Sequence, residues 1–346
     1  MPEKKHDLSG RGAQHHPFNR FLKQSYVHRH MEGLDEAQAV QPNTQIYYED
    51  ARTVINQVNS PDLGMVYSLN PYQGCEHGCS YCYARPTHEY YGFSAGLDFE
   101  SRIMVKRNAP ILLEKTLTNP DWQPAPIALS GNTDCYQPLE RSYRLTRQLL
   151  EIFVRYRHPV SIITKNRLIL RDVDLLQELS RQDLVHVYIS VTTLNDDLRR
   201  IMEPRTTTSP LRLQTISALS QAGIPVGVMI APVIPALNDH EILNIAKAAA
   251  NHGARTASYT VLRLNGSVAD VFEKWLRHYF PDRFGKVWNQ IRSLHDGQVS
   301  DFAYGRRLRG TGLWADMIEK MMQTARNRYF ADRQMPPYNL RVFRRG

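Results

Sequence analysis

Six short apolar or β-branched runs recur along this chain, at residues 65–69, 127–129, 160–164, 185–191, 226–230 and 258–262, with amphipathic helical stretches between them. In residues 143–154, for example, Leu145, Leu149, Ile152 and Phe153 fall on one helical face. Leu175, Leu176 and Leu179 repeat the pattern, as do Leu213, Ile216 and Leu219. Strands that alternate with helices pair in parallel and cross over right-handedly. Six units fall short of the eight that close a full barrel. The expected fold is therefore α/β: a partial (β/α)6 TIM-like barrel, with a mainly helical C-terminal region after about residue 265. In such folds the chemistry gathers at the carboxyl ends of the strands.

The loop that follows the first of these strands reads NPYQGCEHGCSYCYAR, and Cys75, Cys79 and Cys82 stand in it at C-x₃-C-x₂-C spacing. Three thiolates can hold three corners of a cubic [4Fe–4S] cluster and leave one iron without a protein ligand. A cluster used only for electron transfer usually takes four cysteines. The open iron is a place for a small molecule to bind and be reduced. The competing reading is a structural zinc site completed by His77 or His88, in a protein that merely binds nucleic acid. Zinc modules normally draw ligands in pairs from two separated knuckles, and here all three cysteines share one short loop. The fourth, Cys135, is more than fifty residues away.

Composition places limits on the rest. The chain has 346 residues and four cysteines, three of them bunched, which is not a disulfide framework. Metal binding in a reducing cytoplasm fits better. The opening MPEKKHDLSG lacks the apolar centre of a signal peptide, and the greasiest stretch, residues 224–236, is short and broken by three prolines. No membrane span is expected. Residues 1–60 are polar, rich in histidine and weakly periodic, and read as an arm with little core of its own. Residues 61–265 form the barrel core and 266–346 a basic helical region. Of the net charge of +9, residues 265–346 supply +7, from 15 Lys/Arg against 8 Asp/Glu. The densest pieces are YGRRLRG and the final RVFRRG. A basic surface attracts phosphate backbones, or simply aids solubility. The stripe Trp314, Met317, Ile318, Met321, Met322, Ala325 and Tyr329 reads as helix packing.

The cysteine spacing, with aromatic Tyr81 immediately before the third cysteine, resembles the radical S-adenosylmethionine superfamily over roughly residues 55–265. The longer strings NSPDLGMVYSLNPYQGCEHGCSYCYARPTHEYYG, LSGNTDCYQPLE, ITKN and EPRTTTSPLRLQTISALSQAGIPVGVMIAPVIPALND resemble a bacterial group allied to spore photoproduct lyase and DNA repair photolyase-like proteins. GRGAQHHPFNRF near the start is similar to that group too. The resemblance implies a [4Fe–4S] cluster on Cys75, Cys79 and Cys82, with the amino and carboxylate groups of S-adenosylmethionine on the fourth iron. It implies a reductant such as flavodoxin or ferredoxin, one-electron cleavage to methionine and a 5′-deoxyadenosyl radical, and hydrogen abstraction from a substrate. Nucleic acid is one candidate substrate; a protein, peptide or small metabolite is the other.

The same resemblance marks residues around the cofactor. Lys165 in ITKN and Ser190 in YISVTT match positions that contact the methionyl carboxylate, which needs a cation and hydroxyl donors. Thr133 and Asp134 match a further cofactor-facing loop, and Arg205 is placed to pair with carboxylate or phosphate. Tyr81 is expected to use its backbone against the adenine, and Asn238 to face the adenosine or to cap a helix. Photoproduct lyase returns hydrogen to its product from a cysteine at the position that is Gly131 here. Cys135, four residues on, is the candidate substitute, with a buried structural thiol as the alternative. With one cysteine left over, second-cluster chemistry such as sulfur insertion, and methylation through paired cysteines, are excluded.

Overall fold

The computed structural model describes residues 10–13, 15–17 and 44–345. Its ten strands are β1 (Gln45–Tyr48), β2 (Ile55–Gln57), β3 (Tyr67–Leu69), β4 (Tyr72–Gln73), β5 (Arg102–Val105), β6 (Ile127–Leu129), β7 (Val160–Thr164), β8 (Val185–Ser190), β9 (Val226–Val233) and β10 (Ala257–Val261). Seven make one sheet in the order β10-β9-β8-β7-β6-β3-β2. From β3 to β10 every neighbour is parallel, and each strand lies beside the one before it. All six expected strands are present in this run. The helices between them, including Leu145–Tyr156, Val173–Ser180, Ser209–Gln221 and Ile242–Asn251, bury their apolar faces on the sheet. Leu149, Phe153, Leu176, Leu179, Ile216 and Leu219 all join that core. The expected stripe on Gly312–Tyr329 packs there through Ala315, Ile318, Met322 and Ala325, while Met317 is exposed.

Two pieces carry no strong periodic signal. β2 pairs antiparallel with β3 at the sheet edge. β1, β5 and β4 form a separate small sheet, and β4 runs straight into the cysteine loop. The arm expected over residues 1–60 lies largely outside the described residues, as do His6, His28 and His30. Its described part is tied down: Arg11 and Ala13 are buried, and β1 pairs with β5.

The partial barrel leaves β10 and β2 as free edges, and the C-terminal region bridges them. The Val261 and Leu264 amides donate to the carbonyls of Leu308 and Val299 (both 3.0 Å). On the other side Tyr304 donates to the Asn59 carbonyl (3.2 Å), and Gly305 and Arg307 donate to Asp62 (3.0 and 2.9 Å). Residues 299–309 are thus a strap across the opening. Further along, Asn339 and Arg344 donate backbone bonds to the carbonyls of Asp183 and Tyr156 (3.1 and 3.0 Å), and Tyr338 stacks on His186 at 4.0 Å. Tyr156 and Asp183 precede β7 and β8, and His186 is the second residue of β8, so residues 336–345 floor the barrel at the end opposite the cysteines.

The arginines of the tail take part in these contacts. Arg309, Arg333, Arg344 and Arg345 donate to main-chain carbonyls, and Arg306 and Arg307 pair with Asp296, Asp301 and Asp62. Part of the cationic excess therefore also ties the tail to the barrel, although Arg306, Arg309, Arg333, Arg344 and Arg345 remain exposed.

Candidate active site

The cysteine loop is held from three sides. Cys75 N–H donates to the Phe99 carbonyl (2.9 Å), Ser80 N–H to Met202 (3.0 Å), and Gln137 bonds Glu76 N–H and the Gly74 carbonyl. Arg85, three residues past the last cysteine, is fully buried and donates to the Cys79 carbonyl (2.7 and 3.0 Å) and to those of Ala95 and Gly96. Its charge meets the equally buried Glu100 at 2.5 Å. Glu100 also accepts from Gly12 N–H (3.1 Å) and Ala13 N–H (2.7 Å), which docks the GRGA segment on the loop. Residue 12 must be glycine for this contact, because a Cβ there would lie 1.6 Å from the Gly78 carbonyl oxygen.

The three thiols are free, Cys75 and Cys79 buried and Cys82 partly so. Burial raises the pKa of both Cys75 and Cys79, with smaller contributions from Asp134, Cys82 and Cys79 on Cys75 and from Glu203 and Cys82 on Cys79. Burial also raises Cys82, against the pull of Arg85. Only a strongly positive centre makes thiolates the stable form in such surroundings. Among the described residues no three His, Cys, Asp or Glu side chains gather tightly enough to hold one metal ion. A cubic cluster takes its thiolates at separate corners and does not require them to share one centre. Neither histidine of the zinc reading is available as a simple fourth ligand. His77 lies between Asp134 (3.3 Å) and Asn166 (3.3 Å), and His88 is packed among Phe93, Tyr91 and Phe99, where burial lowers it to about 4.

Lys165 follows β7 and Ser190 ends β8, both at the carboxyl edge of the sheet, as expected. The Lys165 ammonium lies 5.8 Å from the centre of the Tyr81 ring and has no carboxylate within 4.0 Å among the described residues. Burial works against its charge, but Glu203 and Cys79 outweigh it and raise its pKa. Ser190 is buried, its carbonyl accepting from Arg212 (3.0 Å). Tyr81 contributes more than its backbone: its hydroxyl donates to Glu203. Glu203 is the hub that sequence reading passed over, although it stands two residues before Arg205 in the quoted EPRT. It also accepts from Thr192 (2.6 Å) and pairs with buried Arg212 (2.5 Å). Burial alone would raise its pKa; Arg212 and Lys165 overcome that and hold it at about 2.

Other expected contacts have different uses. Asp134 accepts from Thr164 (2.8 Å), Tyr136 N–H (2.9 Å) and Lys165 N–H (2.9 Å), and faces His77, so both oxygens are engaged in joining β7 to the cysteine loop. Thr133 donates to the Tyr72 carbonyl (2.6 Å). Asn238 accepts from Ile234 N–H and donates to the carbonyls of Thr192 and Pro232, pinning the loops after β8 and β9, and it makes no side-chain cap. Arg205 lies 4.0 Å from Glu76, partly exposed. Cys135 does not join the group. It is fully buried in the apolar core, its N–H held by Ser130 (2.8 Å), and burial raises its thiol. Gly131 has no room for a side chain on this backbone, since a Cβ would meet that of Ser68 at 2.8 Å. A surface cavity of about 540 Å³ lined by Arg200, His240, Phe280 and Arg283 contains none of the expected cofactor residues.

The depressed Glu203 sets a pH dependence. A carboxylate whose folded pKa lies below its unfolded value of about 4.5 stabilises the fold above that value. The contribution is lost as pH falls toward 2. For this shift it is worth roughly 3 kcal/mol. In urea titrations, the stability advantage of wild type over Glu203→Gln should therefore shrink between pH 5 and pH 2.5. A constant difference would show that Glu203 titrates normally.

The model of the radical SAM superfamily matches residues 69–249, from β3 through the helix before β10. The chain belongs to the radical SAM superfamily. The superfamily implies S-adenosylmethionine and a [4Fe–4S] cluster, the group that the three thiols fit. Its relatives include uncharacterized proteins of Mycobacterium tuberculosis and Mycobacterium bovis, each 36% identical over 234 residues, 67% of this chain and 69% of theirs. An uncharacterized protein of Methanocaldococcus jannaschii is 29% identical over 241 residues, covering 69% and 85%. Among solved structures, spore photoproduct lyase complexed with dinucleoside spore photoproduct superposes with a TM-score of 0.62 at 14% identity, covering 87% of this chain and 85% of that one. At that identity the likeness establishes the shared radical SAM partial barrel.

Proposed function

We propose that this protein is an iron–sulfur enzyme that cleaves S-adenosylmethionine reductively and uses the resulting radical to take hydrogen from a substrate held at the carboxyl end of its barrel. The observation that carries this is the pairing of three thiols on one short loop with a buried lysine that, among the described residues, has no carboxylate within 4.0 Å. When bound, the cluster would supply one electron to S-adenosylmethionine and yield methionine and a 5′-deoxyadenosyl radical, and Cys75, Cys79 and Cys82 would hold it. The ammonium of Lys165 is placed to take the methionyl carboxylate. Glu203 keeps that ammonium charged, and through the Tyr81 hydroxyl it fixes the ring next to Cys82. Arg85 and Glu100 keep the loop from shifting, while the strap and floor exclude water from the barrel.

The finer assignments are part of the same reading. The electron donor is a flavodoxin or ferredoxin, and the setting is cytoplasmic; among the described residues no helix is long and apolar enough to cross a membrane. Nucleic acid as substrate is supported by the fold shared with a lyase complexed with a dinucleoside, and less by the tail, part of whose arginines tie it to the barrel. Radical chemistry on a protein, peptide or small metabolite remains the other substrate class.

Anaerobically reconstituted protein should make 5′-deoxyadenosine from S-adenosylmethionine and dithionite. Lys165→Ala should weaken S-adenosylmethionine binding about 10- to 150-fold, the range of a charge-assisted hydrogen bond of about 1.5–3 kcal/mol, read from the cofactor-induced change in the reduced cluster's EPR signal. Protein that makes no deoxyadenosine would overturn the reading, and unchanged affinity would remove Lys165 from the site.

A further inference from the structure

At the carboxyl end of β10, Arg263 is placed unlike the other arginines of its neighbourhood. Arg307 is bound by Asp62 and Ser60, and Arg309 by the Tyr259 carbonyl. Both Asp62 oxygens are already engaged, one by Arg307 and one by Gly305 N–H. Arg263 donates no hydrogen bond and has no carboxylate within 4.0 Å among the described residues. A guanidinium carries five donors in a rigid fork, and the Arg263 side chain is only partly buried, with none of its nitrogens among the buried atoms that lack a partner, so its donors face solvent and are open to a ligand. Burial and the nearby charge of Arg307 both act against its ionised form, and Tyr83 and Asp62 offset them only in part.

Its guanidinium carbon lies 5.7 Å from the centre of the Tyr83 ring. Tyr83 immediately follows Cys82, and its hydroxyl reaches across to donate to the Gly131 carbonyl at 2.7 Å. That ring therefore spans the mouth from the β6 loop to the β10 end, and Arg263 lies against it. A fork of solvent-facing donors on an aromatic plate, next to the third cysteine, matches the geometry that recognises a planar or tetrahedral oxyanion.

We propose that Arg263, backed by Tyr83, is the subsite that binds an oxyanion of the substrate, a carboxylate or a phosphate, and so sets which molecules reach the radical. This rests on the reading of the barrel mouth as the radical site. The subsite selects by charge: neutral isosteres lack the interaction, and the acceptor oxygens take the place of water on the guanidinium donors.

The test is ligand-observed NMR titration of reconstituted protein with S-adenosylmethionine present, using dimethyl phosphate, acetate and neutral trimethyl phosphate and acetamide. One of the two anions should bind saturably and its neutral counterpart should not. A preference for dimethyl phosphate assigns a phosphodiester substrate, and one for acetate a carboxylate. Arg263→Gln should weaken the preferred anion about tenfold or more, Arg263→Lys less, and Arg328→Gln, an exposed control of equal charge loss, not at all. Absence of saturable anion binding, or equal affinity in wild type and Arg263→Gln, overturns the proposal. Deoxyadenosine formation without substrate is measured separately on the same samples. Its failure would remove the proposed function, whereas its persistence alongside unchanged anion affinity would remove only the subsite.

Discussion

Cys79→Ala should abolish 5′-deoxyadenosine formation in the reduced protein, taking it to the level of a sample without protein. The loop has no spare ligand. Three thiolates are the minimum that leaves a single iron open, and the fourth cysteine, Cys135, is enclosed in the core among Leu149, Tyr136 and Phe153. His77 is engaged by Asp134 and Asn166, so it cannot turn inward without breaking both contacts. The substitution is also mild for the fold. The main-chain carbonyl at residue 79, which Arg85 grips, survives it, and a small thiol is exchanged for a methyl. Circular dichroism and the urea midpoint of the apo protein should therefore change little while iron content falls. Persistent S-adenosylmethionine cleavage in this variant would show that the cluster sits elsewhere.

Arg85→Met should have the largest effect on stability, a loss of about 3–5 kcal/mol, because it leaves the fully buried Glu100 carboxylate without its cation. Four carbonyl contacts to Cys79, Ala95 and Gly96 are lost as well. The double variant Arg85→Met with Glu100→Gln should recover a substantial part of the loss, since an amide can still accept from Gly12 or Ala13 without a buried charge. Equilibrium urea unfolding of the two variants measures this. If the double variant is no more stable than the single one, the stranded charge is not the cause.

The parallel sheet was legible because each strand is a short apolar run bounded by helices with a clear period, and Leu149, Phe153 and Leu176 face inward as their spacing requires. β4 and β2 were not, since two or three residues carry no period, and β1 is exposed along its length. The thiols and Lys165 were legible from the loop and the strand end. Glu203, Arg212, Arg85 and Glu100 were not. A buried ion pair depends on two distant segments meeting, and in sequence each of these looks like an ordinary surface charge. The same limit explains Asp134, Thr133 and Asn238: their place at strand ends was read correctly, but their hydrogen-bond capacity is taken up by neighbouring loops.

The floor built by residues 336–345 also has a consequence for the order of assembly. Its partners around Tyr156, Asp183 and His186 belong to strands and helices made far earlier in synthesis. Contacts so distant in sequence form late, after loop-closure entropy has been overcome. The thiols of the cysteine loop are therefore made early, while the barrel that shelters them is sealed from below only near the end.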